Sequence, residues 1–299
     1  MFDVVVIGGG PAGLQATLTL ARGQRRVALV DGGAPRNQRA VQVNNFVSRD
    51  GIPPKDFRAE SRRQLEGYGV RLVQGLVRGV HGEPDGFTVD VDDDTRLEAR
   101  RIVVALGVRD VLPDWSGLAA LWGDTIFQCP YCHGHEVRGT RWAVYADSPH
   151  MPQLALLARA WTDDLLLVDR IGLDDDTRAR LQGAGIVIDT RDVVGVAARA
   201  DDAQRLGALL LEDGSRLERD VLLLHPPQRQ TALVEALELA LQDGYVAVDA
   251  QQRTSRPGIY AAGDLTTRMQ TAITSAAAGC VAAATIAHDL AGLRMPHDG

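Results

Sequence analysis

The segment Phe127–Glu136 reads FQCPYCHGHE and brings together several side chains that can do chemistry. Cys129 and Cys132 flank a Pro-Tyr pair, and His133 and His135 follow within three residues of the second cysteine. A close cysteine pair of this kind can bind zinc, form a structural disulfide or act as a redox centre. A zinc site, a structural disulfide and a redox centre need different residues elsewhere in the chain, so those residues distinguish between the three alternatives.

The number and spacing of the cysteines favour a redox pair. Zinc needs four ligands, or three and a water, and the chain contains no second C-x-x-C; its third cysteine, Cys280, lies in an alanine-rich segment. A structural disulfide across four residues closes a very small loop and gains little entropy. Pro130 suits the first position of a helix, where the positive end of the dipole stabilises a thiolate. We therefore predict a redox-active pair, no metal site, and Cys280 as a small core residue.

Composition excludes several other classes of protein. The chain has 299 residues, of which 45% are apolar and 24% charged, and its net charge is −7, so we expect a globular protein that does not bind nucleic acid. No apolar run reaches the roughly 18 residues of a membrane helix, and Ala272–Ala287 is broken by Thr and Ser, so we expect no membrane partner. A strand begins at about Asp3 with no signal segment before it, which predicts a cytoplasmic location.

The chain opens with a strand, a glycine-rich turn, a helix and a second strand. Val4–Ile7 is a continuous apolar run, as in a buried parallel strand, and Val27–Val30 is the next strand, ending in Asp31. The turn between them fits G-x-G-x-x-G and comprises Gly8, Gly9, Gly10, Pro11, Ala12 and Gly13.

Each motif glycine has a physical role in binding a dinucleotide. Gly8 permits a tight turn, Gly10 lets the backbone approach a pyrophosphate at the helix N-terminus, and Gly13 lets helix and strand pack closely. Asp31, 18 residues beyond Gly13, is placed to bind ribose hydroxyls. Because the motif lies in the strand–turn–helix–strand context that it requires, we predict dinucleotide binding here.

A second strand–turn–helix–strand unit, RWAVYADSPHMPQLALLARAWTDDLLLVDR, lies in the middle of the chain. We predict an α/β fold with two Rossmann-like domains, the first discontinuous and the second inserted into it. The first domain is predicted to comprise residues 1–112 and 226–299. The second, residues 113–225, would carry the cysteine pair.

The middle unit has lost the glycines that would bind a nucleotide. Ala146, Ser148 and Met151 stand where Gly, Gly and Ala are expected, and Asp147 adds a negative charge near the place of a pyrophosphate. At and beyond the end of the next strand the sequence reads VDRIGLDDDTR. Arg170 is surrounded there by carboxylates, which oppose the binding of a phosphate. We predict that the fold of a nucleotide domain is kept and that NADPH is not bound.

GIYAAGDL, at Gly258–Leu265, resembles the second FAD fingerprint of flavoproteins that have two dinucleotide domains, and VVALGVR resembles the motif that closes their first flavin segment. This resemblance implies that the dinucleotide is FAD. It also implies that Asp264 binds the ribityl and pyrophosphate part of the flavin and that Gly263, directly before it, belongs to the same cofactor-binding segment.

With its cysteine pair about 120 residues after the first glycines, the chain resembles the low-molecular-weight thioredoxin reductases along nearly its whole length. The resemblance implies that Cys132 lies against the isoalloxazine and that Cys129 is the interchange thiol. It further implies a homodimer and flavin contacts from Asn45, Gln270, Thr271 and Ala272.

His133 departs from the usual pattern of that family, which has Asp after the second cysteine. Imidazole titrates near neutrality and can transfer the thiol proton, so we predict a catalytic role for His133. His135 is a second candidate, and Glu136 could orient one of the rings.

The chain looks closest to the branch of this family that lacks a pyridine nucleotide site, and we predict an FAD-dependent dithiol–disulfide oxidoreductase. Its partner would be a thioredoxin-like protein or a small dithiol or disulfide. Its other redox partner would be oxygen, ferredoxin or a second flavin. Two alternatives stay open: an NADPH-dependent thioredoxin reductase with a degenerate loop, and a flavin-holding redox sensor without catalysis.

Overall fold

The computed structural model describes residues 1–293 of the chain. Within these residues the strands are β1 (Phe2–Ile7), β2 (Val27–Asp31), β3 (Arg71–Gln74), β4 (Val77–His81), β5 (Phe87–Val91), β6 (Thr95–Val104), β7 (Arg109–Asp110), β8 (Ile126–Phe127), β9 (Trp142–Ala146), β10 (Leu165–Asp169), β11 (Val187–Asp189), β12 (Val193–Ala198), β13 (Leu206–Leu211), β14 (Arg216–Glu218), β15 (Val221–Leu223), β16 (Gln228–Arg229), β17 (Leu241–Gln242), β18 (Tyr245–Val246) and β19 (Ile259–Ala261). The helices are α1 (Pro11–Arg22), α2 (Pro54–Glu66), α3 (Leu118–Leu121), α4 (Pro130–His133), α5 (Met151–Ala158), α6 (Asp175–Gly183), α7 (Ala232–Ala236) and α8 (Ala272–Leu290), with a 3-10 turn at Asp264–Thr266.

The chain divides into two compact units. Unit 1 comprises residues 1–38, 45–109 and 228–299, and unit 2 comprises residues 39–44 and 110–227. The sequence placed the boundaries at residues 112/113 and 225/226, within a few residues of these. It assigned the short segment 39–44 to the first domain, whereas in the structure this segment groups with unit 2.

Unit 1 is built on a sheet whose parallel part has the order β3-β2-β1-β6, with β19 on the other side of the C-terminal half of β6. The N-terminal half of β6 pairs antiparallel with β5, which pairs with β4 and extends the sheet as a ribbon. Val4, Val5 and Val6 are fully buried, as expected for a central parallel strand covered on both faces.

Helix α8 packs against α1 through small residues. A Cβ added at Gly279 would lie 2.1 Å from the carbonyl oxygen of Ala12, so only glycine allows this close approach. Cys280 is exposed, so the prediction that it is a core residue is wrong; it lies beside the buried stripe that includes Gly279 and Ala283. Within residues 1–293, α8 is the one helix long and apolar enough to cross a membrane, judged by length and composition alone.

Unit 2 is built on a parallel five-stranded sheet of order β11-β10-β9-β15-β8 and a separate antiparallel ribbon, β12-β13-β14. Strands β9 and β10 are joined through α5, which makes the predicted second strand–helix–strand unit. The prediction of an α/β fold with two Rossmann-like domains is confirmed.

Candidate functional site

The glycine turn of unit 1 joins β1 to α1, and its glycines have different structural roles. Gly8 has φ +113°, and a Cβ there would lie 2.3 Å from the carbonyl oxygen of Ala105. A Cβ at Gly13 would lie 1.8 Å from the carbonyl oxygen of Gly8. A Cβ at Gly10, by contrast, would meet no atom within 4 Å. Gly8 and Gly13 are therefore required by the fold, whereas Gly10 keeps open the space in front of the helix N-terminus.

This open space fits a dinucleotide phosphate. Gly10 is the N-cap of α1 and Pro11 occupies the first helical position, so the first-turn N–H groups lack intrahelical acceptors. The N-terminus of a helix attracts an anion through these N–H groups and through the dipole. Pro11, Ala12 and Gly13, which the sequence predicted as cofactor-binding residues, form this first turn.

Asp31, at the end of β2, is ionised and held from two sides. Its Oδ1 accepts a hydrogen bond from Gly33 N at 3.0 Å, and its Oδ2 forms ion pairs with Arg58 and Arg62. Burial would raise the pKa of this carboxyl, but the hydrogen bonds from Gly33 and the two guanidinium groups outweigh burial and lower the pKa. The two arginines, four residues apart on α2, place positive charge beside the predicted ribose ligand.

The second predicted cofactor segment lies between β19 and α8. Gly263 has φ +97°, a conformation that favours glycine. Asp264 accepts hydrogen bonds from Ser275 Oγ at 2.9 Å and from Arg36 Nη1 at 3.0 Å. Its carboxylate is thus oriented by α8 and by the loop that follows β2.

The remaining predicted flavin contacts lie at the start of α8 and after residue 44. Thr271 is the N-cap of α8 and forms a capping box with Thr274, and Ala272 is the first helical residue. The side chain of Gln270 takes part in a hydrogen-bond network within unit 1. Asn45 has φ +58° and donates its backbone N–H to Asp50.

In unit 2, Cys129 and Cys132 form a disulfide with 5.3 Å between their Cα atoms. Cys129 is the N-cap of α4, and Pro130 occupies the first helical position, as predicted. The helix is a single turn that ends at His133, so the dipole it adds at the cysteines is short. Asn44 Nδ2 donates to the carbonyl oxygen of Cys132 at 2.8 Å, a contact that sequence analysis missed.

His133 follows Cys132 directly in the chain, and its ring nitrogens are buried. Its ring stacks on Phe127 with 5.2 Å between centroids, and neither ring nitrogen has a hydrogen-bond partner among the described residues. Burial lowers the pKa of His133, although the nearby Asp124 and Glu136 carboxylates act in the opposite direction. The imidazole is therefore neutral at pH 7 and offers one nitrogen as a proton acceptor.

His135 does not share this burial. Its side chain is exposed, and its carbonyl oxygen accepts a hydrogen bond from Arg138 Nη1 at 2.6 Å. Glu136 is exposed as well. Of the two histidines, only His133 has the buried environment that suits proton transfer at a thiol.

The loop after β9 differs from a glycine-rich nucleotide-binding loop in the residues that line its turn. Ala146 ends β9, and Met151 begins α5 with its side chain fully buried. Pro152 is buried beside it and has no N–H to offer an anion. Burial raises the pKa of Asp147, while hydrogen bonds from its own backbone and from Ser148 lower it less.

The arginines near the end of β10 already have partners. Arg170 donates to Asp192 Oδ2 at 3.1 Å and to the carbonyl oxygen of Thr190 at 2.9 Å. Arg178 forms an ion pair of 3.0 Å with the buried Asp169. Binding a phosphate here would require breaking one of these pairs.

Three comparisons relate the chain to known proteins. A match to the family described as pyridine nucleotide-disulphide oxidoreductase covers residues 2–142 and 166–279. The chain is 30% identical to thioredoxin reductase tcpT of Claviceps purpurea (strain 20.1) over 278 residues, 88% of this chain and 86% of that one. Its fold is similar to the crystal structure of HlmI (37% identity, TM-score 0.90, 97% of this chain and 92% of that one). It is also similar to an oxidoreductase from Agrobacterium tumefaciens (32% identity, TM-score 0.91, 98% of this chain and 99% of that one).

Proposed function

The chain belongs to the pyridine nucleotide-disulphide oxidoreductase family as a thioredoxin reductase-like, flavin-dependent oxidoreductase, and we propose that it exchanges electrons between FAD and the Cys129–Cys132 pair without NADPH. The observation that carries the proposal is the Cys129–Cys132 disulfide, followed directly in the chain by His133, whose two ring nitrogens are buried without a hydrogen-bond partner among the described residues. A structural disulfide would not need a buried proton acceptor beside it.

The residues that would hold FAD fit the cofactor. Gly10 leaves room for its pyrophosphate, Asp31 and Asp264 are placed at strand ends for hydroxyl groups, and Thr271 begins the helix that would face its ring. Bound FAD supplies a two-electron acceptor or donor, which matches the stoichiometry of a dithiol–disulfide couple.

The cysteine pair would react with an external dithiol by two successive exchanges. A substrate thiolate attacks the Sγ of Cys129, the bond to Cys132 breaks, and a mixed disulfide forms. The second substrate thiol then displaces Cys129, so the substrate becomes a disulfide and the pair holds two electrons as thiols. The nitrogen of His133 accepts and returns the proton of a cysteine thiol during these steps.

Independence from NADPH is supported by unit 2. The expected glycine loop is replaced by a segment that buries Met151 and Pro152, and Asp147 brings a carboxylate to the place of the pyrophosphate. Arg170 and Arg178 are engaged in ion pairs. Membership in the branch without a nucleotide site is part of the proposal.

The partners belong to the same proposal. The external substrate would be a thioredoxin-like protein or a small dithiol or disulfide, in keeping with the thioredoxin reductases among the relatives. Oxygen would accept electrons in the oxidase direction, and ferredoxin or a second flavin would supply them in the reductase direction. We propose that the protein acts as a homodimer in the cytoplasm.

An anaerobic titration of the flavin spectrum tests the proposal. We expect dithiothreitol to bleach the visible band of the wild-type holoenzyme and NADPH to leave it yellow. Admission of air should then restore the band with release of hydrogen peroxide if the enzyme is an oxidase. In Cys132→Ser the bleaching by dithiothreitol should be lost, whereas Cys280→Ser, which removes the exposed third thiol, should behave as wild type.

Two outcomes would contradict the proposal. Rapid bleaching by NADPH would support the NADPH-dependent thioredoxin reductase instead. If dithiothreitol reduces the flavin equally well in wild type and in Cys132→Ser, the cysteine pair does not pass electrons to the flavin. That result would support the alternative of a redox sensor without catalysis.

A further inference from the structure

The side-chain amide of Gln270 lies at the centre of a hydrogen-bond network in unit 1. Its Oε1 accepts from Arg36 Nη1 at 2.6 Å and from Gln228 Nε2 at 2.9 Å. Its Nε2 donates to Gln228 Oε1 at 2.8 Å, so the two glutamine amides pair reciprocally. The same Gln228 Oε1 accepts from the hydroxyl of Tyr245 at 3.0 Å. Gln270 is thus contacted directly by Arg36 and Gln228, and through Gln228 it is linked to Tyr245.

The members of this network are anchored in the rest of unit 1. Tyr245 belongs to β18, and the turn before it is held by Gln230, whose Nε2 donates to the carbonyl oxygens of Gly244 and Leu265. Gln230 is 7% exposed, so these bonds are shielded from water. The Nη1 of Arg36 that donates to Gln270 also forms an ion pair with Asp264 at 3.0 Å. The side chains that bind Gln270 are therefore themselves held in place by other contacts within unit 1.

The network lies directly before the first turn of α8, because Gln270 precedes the N-cap Thr271. The N–H groups of Thr274 and Ser275 have acceptors on Thr271. Among the described residues, the N–H groups of Ala272 and Ile273 have none. These two amides remain to face a ligand at the helix N-terminus.

We propose that Gln228, Tyr245 and Arg36 form a clamp on Gln270 that positions the amides of Ala272 and Ile273 for the bound flavin. The inference rests on the proposed function, since it takes FAD as the ligand. The side chain of Gln270 is engaged by Arg36, Gln228, and the carbonyl oxygens of Asp264 and Thr267. Gln270 is thus a positioning residue, and Gln228 and Tyr245 act through it.

The clamp is tested by measuring FAD affinity and the visible circular dichroism of the bound flavin. Gln228→Ala removes the reciprocal amide pair and is expected to weaken FAD binding about 5- to 10-fold, the scale of one or two neutral hydrogen bonds. Tyr245→Phe removes one hydroxyl and should weaken it about threefold. The double variant should match Gln228→Ala, because the Tyr245 hydroxyl reaches Gln270 only through Gln228.

Matched variants separate positioning from general damage. Gln228→Glu keeps the acceptor for Tyr245 and Gln270 and should restore part of the lost affinity. Gln242→Ala changes an exposed glutamine next to the same turn and should bind FAD as wild type does. Changed dichroism in Gln228→Ala, with normal dichroism in Gln242→Ala, supports the clamp.

Wild-type FAD affinity and dichroism in both Gln228→Ala and Tyr245→Phe would overturn the clamp. Equal losses of melting temperature in apoprotein and holoprotein, with unchanged affinity, would show a merely structural network and overturn it too. If Gln228→Ala does not fold, Tyr245→Phe decides by the same readouts. None of these measurements uses a thiol, so a wild-type protein that binds FAD but fails the dithiol titration would refute the proposed exchange alone.

Discussion

Replacement of Gly10 by Ala is expected to separate cofactor affinity from the stability of the fold. The new Cβ would meet no protein atom within 4 Å, and the backbone of Gly10, with φ −82° and ψ −178°, is accessible to alanine. Gly10 is an N-cap, and alanine is a poorer N-cap than glycine by about 0.5–1 kcal/mol. The free energy of unfolding of the apoprotein should therefore fall by no more than about 1 kcal/mol.

The same methyl group should cost far more when FAD binds. It would occupy the open space in front of the first turn of α1, where a pyrophosphate would have to approach the N–H groups within hydrogen-bond distance. Loss of one hydrogen bond to a charged group is worth about 1.5–3 kcal/mol. FAD affinity should thus fall about 10- to 100-fold, measured by fluorescence titration of the apoprotein.

Gly13→Ala is the matched variant with the opposite behaviour. Its Cβ would lie 1.8 Å from the carbonyl oxygen of Gly8, so strand and helix must move apart. Overpacking of this kind costs about 1–3 kcal/mol or more, and urea unfolding of the apoprotein should show it. Wild-type FAD affinity in Gly10→Ala, or a loss of apoprotein stability as large as that of Gly13→Ala, would refute the assignment of Gly10 to the pyrophosphate.

Three further changes test other parts of the molecule. Because burial lowers the pKa of His133, the rate of dithiol exchange should rise with pH along a limb centred below about 6.5. His133→Asn should remove that limb and slow exchange about 100-fold. An unchanged pH profile in stopped-flow measurements would contradict the role of His133. Tyr260→Phe removes the part-buried hydrogen bond to Asp289 and should lower the free energy of unfolding by about 1.5–3 kcal/mol in urea titrations, and a change below about 0.5 kcal/mol would contradict this. Asn44→Ala removes the hydrogen bond to the carbonyl of Cys132 and should slow dithiol exchange about fivefold at unchanged FAD affinity; unchanged kinetics would show that the contact is only structural.

The glycine turn could be predicted from sequence because its constraints are local. A continuous apolar run, three spaced glycines and an acidic residue at the next strand end already define β1, α1 and β2. The structure adds which glycine serves which purpose, since that depends on neighbours such as Ala105. Residue spacing alone does not reveal that Gly10 faces open space.

The partners of the candidate site residues could not be predicted in this way. Arg58 and Arg62 bind Asp31 across 27 and 31 residues, and Asn44 reaches Cys132 across 88. Such pairs depend on how the elements pack, and no periodicity in one sequence indicates them. Cys280 was assigned to the core by composition, but the register of α8 decides which of its residues face α1.

The sequence suggested that the carboxylates after β10 repel a phosphate, but their contacts in the structure change this interpretation. Counted as free charges, they would repel a phosphate, but Asp169 accepts the N–H groups of Ile171, Gly172 and Leu173 and pairs with Arg178. Asp174 caps α6 by accepting from Thr177. The carboxylates of Asp169 and Asp174 are therefore used within unit 2.

We propose that NADPH is excluded instead because unit 2 lacks an N–H donor near the start of α5 and because its arginine near β10 already has partners. A nucleotide phosphate needs N–H donors at the start of a helix and a guanidinium that can turn toward it. Pro152 removes one such donor near the start of α5, and Arg170 is held by Asp192 and Thr190. Restoring glycines at positions 146 and 148 alone should consequently leave NADPH unable to reduce the flavin, because neither change frees Arg170.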